Sequence, residues 1–126
     1  RRVLFRSKQA KQLCPEAIII RGDSQLYSDY SKDVTDIIAE SVPVCEKSSI
    51  DEFYIDLTGM DKFFGSWKLA MELKDRILKE TGLPISFGLA SNKTVSKVAT
   101  GTAKPAGQRR VDYGDEKPFL APLSVR

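Results

Sequence analysis

Two adjacent carboxylates, Asp51 and Glu52, are the residues whose types and spacing best suit chemistry in this sequence. Hard cations such as Mg²⁺ prefer oxygen ligands and are usually held by one or two carboxylates together with substrate phosphates. Two such ions can stabilise the attacking and leaving oxygens of a phosphoryl transfer. An acidic dipeptide at a turn is more often simply solvated. The pair alone therefore leaves both interpretations open, a metal site and an exposed turn.

The residues around this pair predict a β-hairpin. After Glu52, aromatic and β-branched residues alternate with polar ones over 53–57, and the run 43–47 is typical of a shorter preceding strand. A regular strand would send Asp51 and Glu52 to opposite faces. We therefore predict that both lie at the apex of the hairpin, where they can act on one centre.

Three lysines are candidates for binding an anion near this hairpin. Lys93 and Lys97 are four residues apart on a predicted helix and therefore share one face. Lys104 follows in the small-residue segment 100–107, which we interpret as a loop that lets the backbone approach a ligand closely. Any single lysine is more often a solvated surface charge. Lys93 and Lys97 are the weaker candidates, either as contacts to DNA or phosphate or as structural positions.

The elements that must position these residues follow from hydrophobic periodicity and from turn residues. We predict helices over 8–13, 24–41 and 66–81, and a short helix that starts at 91–92 and precedes the loop. Strands are predicted over 17–20, 43–47, 53–57 and 84–90. The expected core residues of the two longer helices are Leu26, Tyr30, Val34, Ile37, Ile38, Leu69, Ala70, Leu73, Ile77 and Leu78.

Three further local features complete this prediction. Ser24 is a candidate N-cap, and Gly82 is well placed to end the helix that precedes it. Tyr27 and Tyr30 could stack on bases, but aromatic residues at helical spacing on an apolar stripe are more often core residues. Phe63 and Phe64 are expected to cover the edge of the core.

Length and composition limit the function classes. The chain has 126 residues, of which 41% are hydrophobic and 29% charged, enough for one modest globular domain. The net charge of +3 permits a nucleic-acid partner without requiring one. There is no histidine, and Cys14 and Cys45 lack metal-ligand spacing, which excludes a zinc site and a histidine-based triad. No transmembrane run or secretory signal is visible. We expect a cytoplasmic protein without a membrane partner.

The sequence of Ser49–Thr58, SIDEFYIDLT, resembles the signature S-I-D-E-x-Y-x-D-x-T of the Y-family translesion DNA polymerases, in particular of the DNA polymerase IV (DinB/UmuC-type) branch. The resemblance extends from about Lys8 to the C-terminus. One departure is Ala106, which stands where the family commonly has Asn. The other blocks that resemble the family, in its order and spacing, are Leu13-Cys14-Pro15, Tyr27–Ser31, Gly82–Gly88, Ser91-Asn92-Lys93 and Ala103-Lys104-Pro105.

The resemblance implies template-directed nucleotidyl transfer, in which a primer 3′-hydroxyl attacks the α-phosphate of an incoming deoxynucleoside triphosphate. It implies that Asp51 ligates two Mg²⁺ ions, that Glu52 ligates the ion activating the hydroxyl, and that Lys104 contacts the triphosphate. Asp56 belongs to the signature and is expected to be structural. The implied partners are primer-template DNA, the deoxynucleoside triphosphate and, through regions outside this chain, a sliding clamp.

The fold implied is α+β. It is a partial polymerase palm with a ferredoxin-like core, in which a small, mostly antiparallel sheet carries helices on one face. The family pattern assigns 8–23 to the end of the fingers and the return to the palm, 24–116 to the palm core and 117–126 to the start of the thumb. Residues 1–7 do not resemble the family. We interpret them as a cloning or assembly scar, the alternative being a divergent basic arm.

In the family, a third catalytic carboxylate and the steric gate precede the matching region, and most of the thumb and the little finger follow it. We therefore expect this chain to be inactive by itself. Two other classes stay open. One is a palm-type nucleotide cyclase, against which the block from Lys93 to Lys104 counts. The other is a non-catalytic DNA-binding paralogue.

Overall fold

The computed structural model describes residues 7–60 and 65–125 of the chain, and these contain both helices and short strands, which confirms the predicted α+β class. The elements in chain order are α1 (Ser7–Leu13), α2 (Ser24–Ser41), β1 (Cys45–Lys47), β2 (Phe53–Ile55), α3 (Ser66–Thr81), β3 (Phe87–Leu89), α4 (Lys93–Thr102), β4 (Gln108–Arg110) and α5 (Glu116–Leu120).

The bounds predicted for α2 and α3 are confirmed, and their ends show why. Asp23, and not the predicted Ser24, is the N-cap of α2, because its extended backbone lets its carboxylate accept the Leu26 N–H at 3.1 Å. At the end of α3, Gly82 has the left-handed conformation and donates its N–H to the Leu78 carbonyl, as predicted. Helix α4 begins after Asn92, whose side chain accepts the Val95 N–H at 3.0 Å.

The strands form two separate pairs rather than one mostly antiparallel sheet. In the hairpin, β1 and β2 are antiparallel, with Cys45 opposite Ile55 and Lys47 opposite Phe53. The other pair is parallel, with β3 beside β4 and Phe87 opposite Gln108. The two strands of this pair are joined by α4, and a parallel pair needs such a crossover. Alternation in the sequence predicts strands, whereas the direction of pairing depends on how α4 packs.

Several local predictions are wrong. Residues 17–20 lie outside every strand of the described chain, and the side chains of Ile18 and Ile20 are 89% and 85% exposed. Their β-branched composition favours a strand, but a strand also needs a partner. Residues 100–102, expected in a loop, are the last turn of α4. Strand β4 and helix α5 were not predicted.

Most of the core lies between α2 and α3. The residues of this core are Val34, Ile37, Ile38, Val42, Leu73 and Ile77, with Phe53, Ile55, Leu57, Leu83 and Ile85 packed against them. The prediction that Tyr27 and Tyr30 are core residues is wrong, since they are 56% and 38% exposed, and Leu26 and Leu78 are also exposed. The apolar stripe of α2 is therefore buried only in its C-terminal half. Residues 1–6 and the predicted edge residues 63–64 lie outside the described residues.

A second, smaller core holds α4 against β3. Val95, Ala99 and Val111 form it, with Ala90, Phe119 and Leu120 around them. Helix and strand approach so closely at Gly88 that an added Cβ would lie 2.4 Å from the Ser96 carbonyl oxygen and 2.7 Å from the Ala99 Cβ. The Ser96 hydroxyl also donates to the Gly88 carbonyl at 2.6 Å. Only glycine fits at this contact, which sets the position of α4.

We predict that Gly88→Ala lowers the free energy of unfolding by about 1–3 kcal/mol, the usual cost of overpacking. Gly101→Ala is the matched control. Gly101 lies in α4 with nothing within 4 Å of an added Cβ, so alanine should stabilise the helix by up to about 1 kcal/mol. Urea denaturation of both variants measures the difference. Equal effects of the two substitutions would contradict the described packing of α4 on β3.

Candidate active site

Asp51 and Glu52 lie in the connection between β1 and β2, at the apex of the hairpin as predicted. This connection is closed on itself, because the N–H groups of Ser48 and Ser49 both donate to the Glu52 carbonyl, at 2.9 and 3.3 Å. The two carboxylates therefore project from a compact loop at the end of the hairpin.

The hairpin is fixed to α2 by hydrogen bonds at two points. The Ser31 hydroxyl donates to the Ile50 carbonyl at 2.5 Å, and Ser31 is the only buried polar residue among those that the structure describes. One turn further along α2, Thr35 accepts a hydrogen bond from the Lys47 ammonium at 3.0 Å. Sequence reasoning did not identify this role of Ser31. A serine three residues before Val34, on the buried side of a helix, is the signal that could have found it.

The two carboxylates have different partners. The Ser49 hydroxyl donates to Asp51 Oδ1 at 2.9 Å. Glu52 Oε1 forms an ion pair with Lys97 Nζ at 2.7 Å, and the side chains of Glu52 and Lys97 are 49% and 57% exposed. Ser49 and Lys97 hold the two carboxylates only weakly at the protein surface, so the carboxylate oxygens are accessible to a ligand.

Helix α4 turns its lysines toward the hairpin. Lys97 reaches Glu52, and Lys93 forms an ion pair with Glu46 on β1 while its ammonium lies 5.3 Å from the centroid of the Tyr54 ring. The predicted shared face of Lys93 and Lys97 is therefore confirmed, and it lies next to the acidic loop. Exposed ion pairs such as these contribute little to stability. Their main effect is to place positive charge beside Glu46 and Glu52 of the hairpin.

Lys104 stands apart from this group. It lies just after α4, it is exposed, and within 7–60 and 65–125 no hydrogen bond or ion pair joins it to another residue. The structure does not bring Lys104 into contact with Asp51 or Glu52. Its ammonium is available for a ligand.

Asp56 is held by the chain itself. The Thr58 N–H donates to Asp56 Oδ1 at 2.9 Å, which closes the turn after β2. Hydrogen bonds from the Thr58 side chain and backbone lower the pKa of the Asp56 carboxyl. These contacts agree with the structural role expected for Asp56.

The residues at the apex fit a magnesium site in part. Carboxylate oxygens are the ligands that Mg²⁺ prefers, and one or two carboxylates suffice where substrate phosphates and waters complete the shell. Within the part of the chain that the structure describes, no group of three or more Cys, Asp or Glu side chains could hold a metal ion. If Asp51 and Glu52 hold an ion, waters, phosphate oxygens or groups outside the described residues would supply its other ligands.

Two structural findings concern membrane-crossing helices and disulfides. Of the helices in the described residues, none is both long and apolar enough to cross a membrane. Cys14 and Cys45 are exposed and form no disulfide.

The sequence matches known proteins over most of its length. Residues 2–101 match the model of the impB/mucB/samB family. DNA polymerase IV of Dehalococcoides mccartyi is 40% identical over 117 residues, which are 92% of this chain and 30% of that protein. DNA polymerase IV of Treponema denticola is 40% identical over 119 residues, again 30% of that protein. The chain thus spans about a third of the length of these relatives.

Solved structures have the same fold. DinB from Sulfolobus solfataricus superposes with a TM-score of 0.80 at 27% identity, covering 90% of this chain and 34% of that one. The insertion ternary complex of Dbh DNA polymerase gives a TM-score of 0.81 at 27% identity, covering 94% and 35%.

Fold and site together define an α+β segment of a polymerase palm with an acidic hairpin apex. The chain belongs to the impB/mucB/samB family of Y-family DNA polymerases, as the signature around Asp51 and Glu52 indicated.

We predict that Ser31→Ala lowers the free energy of unfolding by about 1 kcal/mol relative to Ser28→Ala, because only Ser31 loses a buried hydrogen bond. Ser28 is the matched control. It lies on the same helix, it is exposed, and its hydroxyl donates only within α2, to the Ser24 carbonyl at 2.9 Å. Both changes gain the same helix propensity, so their difference isolates the contact to Ile50. Urea denaturation measures this difference. Equal stability of the two variants would contradict the role of the Ser31–Ile50 hydrogen bond in fixing the hairpin to α2.

Proposed function

We propose that this chain supplies part of the catalytic palm of a DNA polymerase that extends a primer by Mg²⁺-dependent nucleotidyl transfer. The observation that supports this most is the exposed pair Asp51 and Glu52 at the hairpin apex, in a chain whose relatives are DNA polymerases. As in those relatives, the complete enzyme would be of the error-prone translesion type, and its substrates would be primer-template DNA and a deoxynucleoside triphosphate.

The proposed work of the apex is to hold metal. Asp51 would ligate two Mg²⁺ ions, and Glu52 the one nearer the primer 3′-hydroxyl. When bound, these ions would lower the pKa of the hydroxyl and neutralise charge that develops on the phosphates. What the chain itself contributes is placement, because Ser31 fixes the loop and the hairpin presents both carboxylates at one end. Catalysis of this kind rests on positioning and electrostatic stabilisation.

The proposed role of the lysines is to bind phosphate groups. Lys104, exposed and without a partner in the described residues, would neutralise charge on the triphosphate. Lys93 and Lys97 would contact phosphate or DNA more weakly, because each would first have to leave its carboxylate, Glu46 or Glu52. Lysine binds phosphate as a point charge, so these contacts would supply affinity rather than base specificity.

The wider setting belongs to the same proposal. Residues 8–23 would end the fingers, 24–116 would form the palm core and 117–126 would start the thumb. The complete protein would act in translesion synthesis and DNA repair in the cytoplasm, with a sliding clamp as a partner. The chain spans about a third of its relatives and, among the described residues, has no group of three acidic or thiol side chains for a metal. By itself it would be inactive.

A hybrid enzyme tests the proposal. This chain would replace the matching 117-residue region of the Dehalococcoides mccartyi DNA polymerase IV. We expect the hybrid to extend a primed template with Mg²⁺. We expect Asp51→Asn and Glu52→Gln each to slow extension at least about a hundredfold, because several kcal/mol of charge stabilisation depend on the metal ligands. Glu46→Gln is the control, since Glu46 is an exposed carboxylate on the same hairpin, and it should change the rate less than about threefold.

Each other outcome has a defined meaning. A hybrid that folds and binds primer-template but does not extend it would overturn the catalytic proposal in favour of a DNA-binding paralogue. Formation of a cyclic nucleotide would favour a cyclase. Extension by the 126-residue chain alone would contradict the expected inactivity of the isolated chain.

A further inference from the structure

A second lysine, which lies on helix α3, forms hydrogen bonds with the loop that carries Lys104. Lys74 lies on α3, and its ammonium donates to the Ala106 carbonyl at 2.5 Å and to the Gln108 side-chain oxygen at 2.8 Å. The two acceptors are 32 and 34 residues further along the chain. Lys74 therefore bridges the loop after α4 and the start of β4.

Other contacts fix the ends of this loop. The Gly107 N–H donates to the Ala103 carbonyl at 2.9 Å, and the Phe87 N–H donates to the Gly107 carbonyl at 3.2 Å. A Cβ at Gly107 would lie 2.3 Å from the Ala103 oxygen, so glycine is needed there. These bonds close the loop but leave its middle, at 104–106, without a backbone partner of this kind. Lys74 supplies the contact at Ala106.

Ala106 is the residue that most needs such a contact. Its φ is +50°, in the left-handed region that non-glycine residues seldom adopt. Glycine and asparagine adopt this region more readily than alanine does. With alanine, the conformation depends more on contacts from outside the loop. The hydrogen bond from Lys74 to the Ala106 carbonyl is one, and it acts two residues after Lys104.

We infer that Lys74 is a positioning residue that holds the Ala106 loop so that Lys104 can meet the phosphates of a nucleoside triphosphate. This inference rests on the proposed function. Both hydrogen bonds of Lys74 go to oxygens of the chain, so Lys74 acts through the loop and not on the substrate. A loop that is ordered beforehand loses less entropy when the ligand binds. The effect should therefore appear in nucleotide affinity.

Steady-state kinetics of the hybrid polymerase test the inference. Lys74→Met should raise the KM for the deoxynucleoside triphosphate about tenfold and change kcat less than about twofold, because the interaction serves binding and not the transition state. Lys79→Met is the matched control, a lysine in the last turn of the same helix, and should leave KM unchanged. Lys74→Arg should recover part of the affinity. Gln108→Ala removes one of the two acceptors and should raise KM about threefold.

A double-mutant cycle separates positioning from a general loss of stability. If Lys74 acts through Lys104, then Lys74→Met should have almost no further effect on KM once Lys104→Ala is present. Additive effects, or an unchanged KM in both Lys74→Met and Gln108→Ala, would overturn the inference while the proposed function stood. An unchanged KM in Lys104→Ala would instead overturn the proposed role of Lys104. Thermal melting shows whether each variant is folded. If Lys74→Met does not fold, the KM of Gln108→Ala tests the inference in its place.

Discussion

The placement of the acidic loop depends on the contact between the hairpin apex and α2. Phe53 and Ile55 of β2 pack on the core between α2 and α3, and burial of apolar surface is the main source of stability there. Apolar packing alone would allow the hairpin to slide along the helix. The buried hydroxyl of Ser31, which donates to the Ile50 carbonyl, favours the observed position over others, since a buried polar group without a partner costs about 1–3 kcal/mol.

Charge adds a second level of organisation around this contact. The hairpin carries Glu46 and Glu52, and α4 brings Lys93 and Lys97 to them. Such exposed pairs are weak, so they can exchange partners with little cost, which suits the proposed binding of phosphate and metal. The position of α4 comes from apolar packing on β3, where Gly88 permits close approach. Apolar packing thus fixes the positions of the helices and strands, and weak ion pairs lie around the acidic loop.

Local patterns in the sequence predicted the helices and strands themselves better than the contacts between them. The apolar period, with Gly82 at one end, was enough to define α2 and α3, and strand parity placed Asp51 and Glu52 at the apex. Periodicity shows which face of α2 is apolar but not how far along it a partner extends, so Tyr27 and Tyr30 were wrongly assigned to the core. The partners of the α4 lysines and the role of Lys74 depend on contacts between residues more than 30 positions apart along the chain. The parallel pairing of β3 and β4 depends on the packing of whole elements. No local pattern in the sequence encodes either.

Binding of Mn²⁺, a paramagnetic substitute for Mg²⁺, tests most directly whether the hairpin apex is the metal site. Amide resonances of the 126-residue chain would be recorded by NMR during a Mn²⁺ titration. The account predicts that the signals of residues 48–54 broaden first and that Asp51→Asn abolishes this selectivity. Broadening that begins instead around another acidic segment, such as 112–116, or that spreads evenly over all exposed carboxylates, would contradict it.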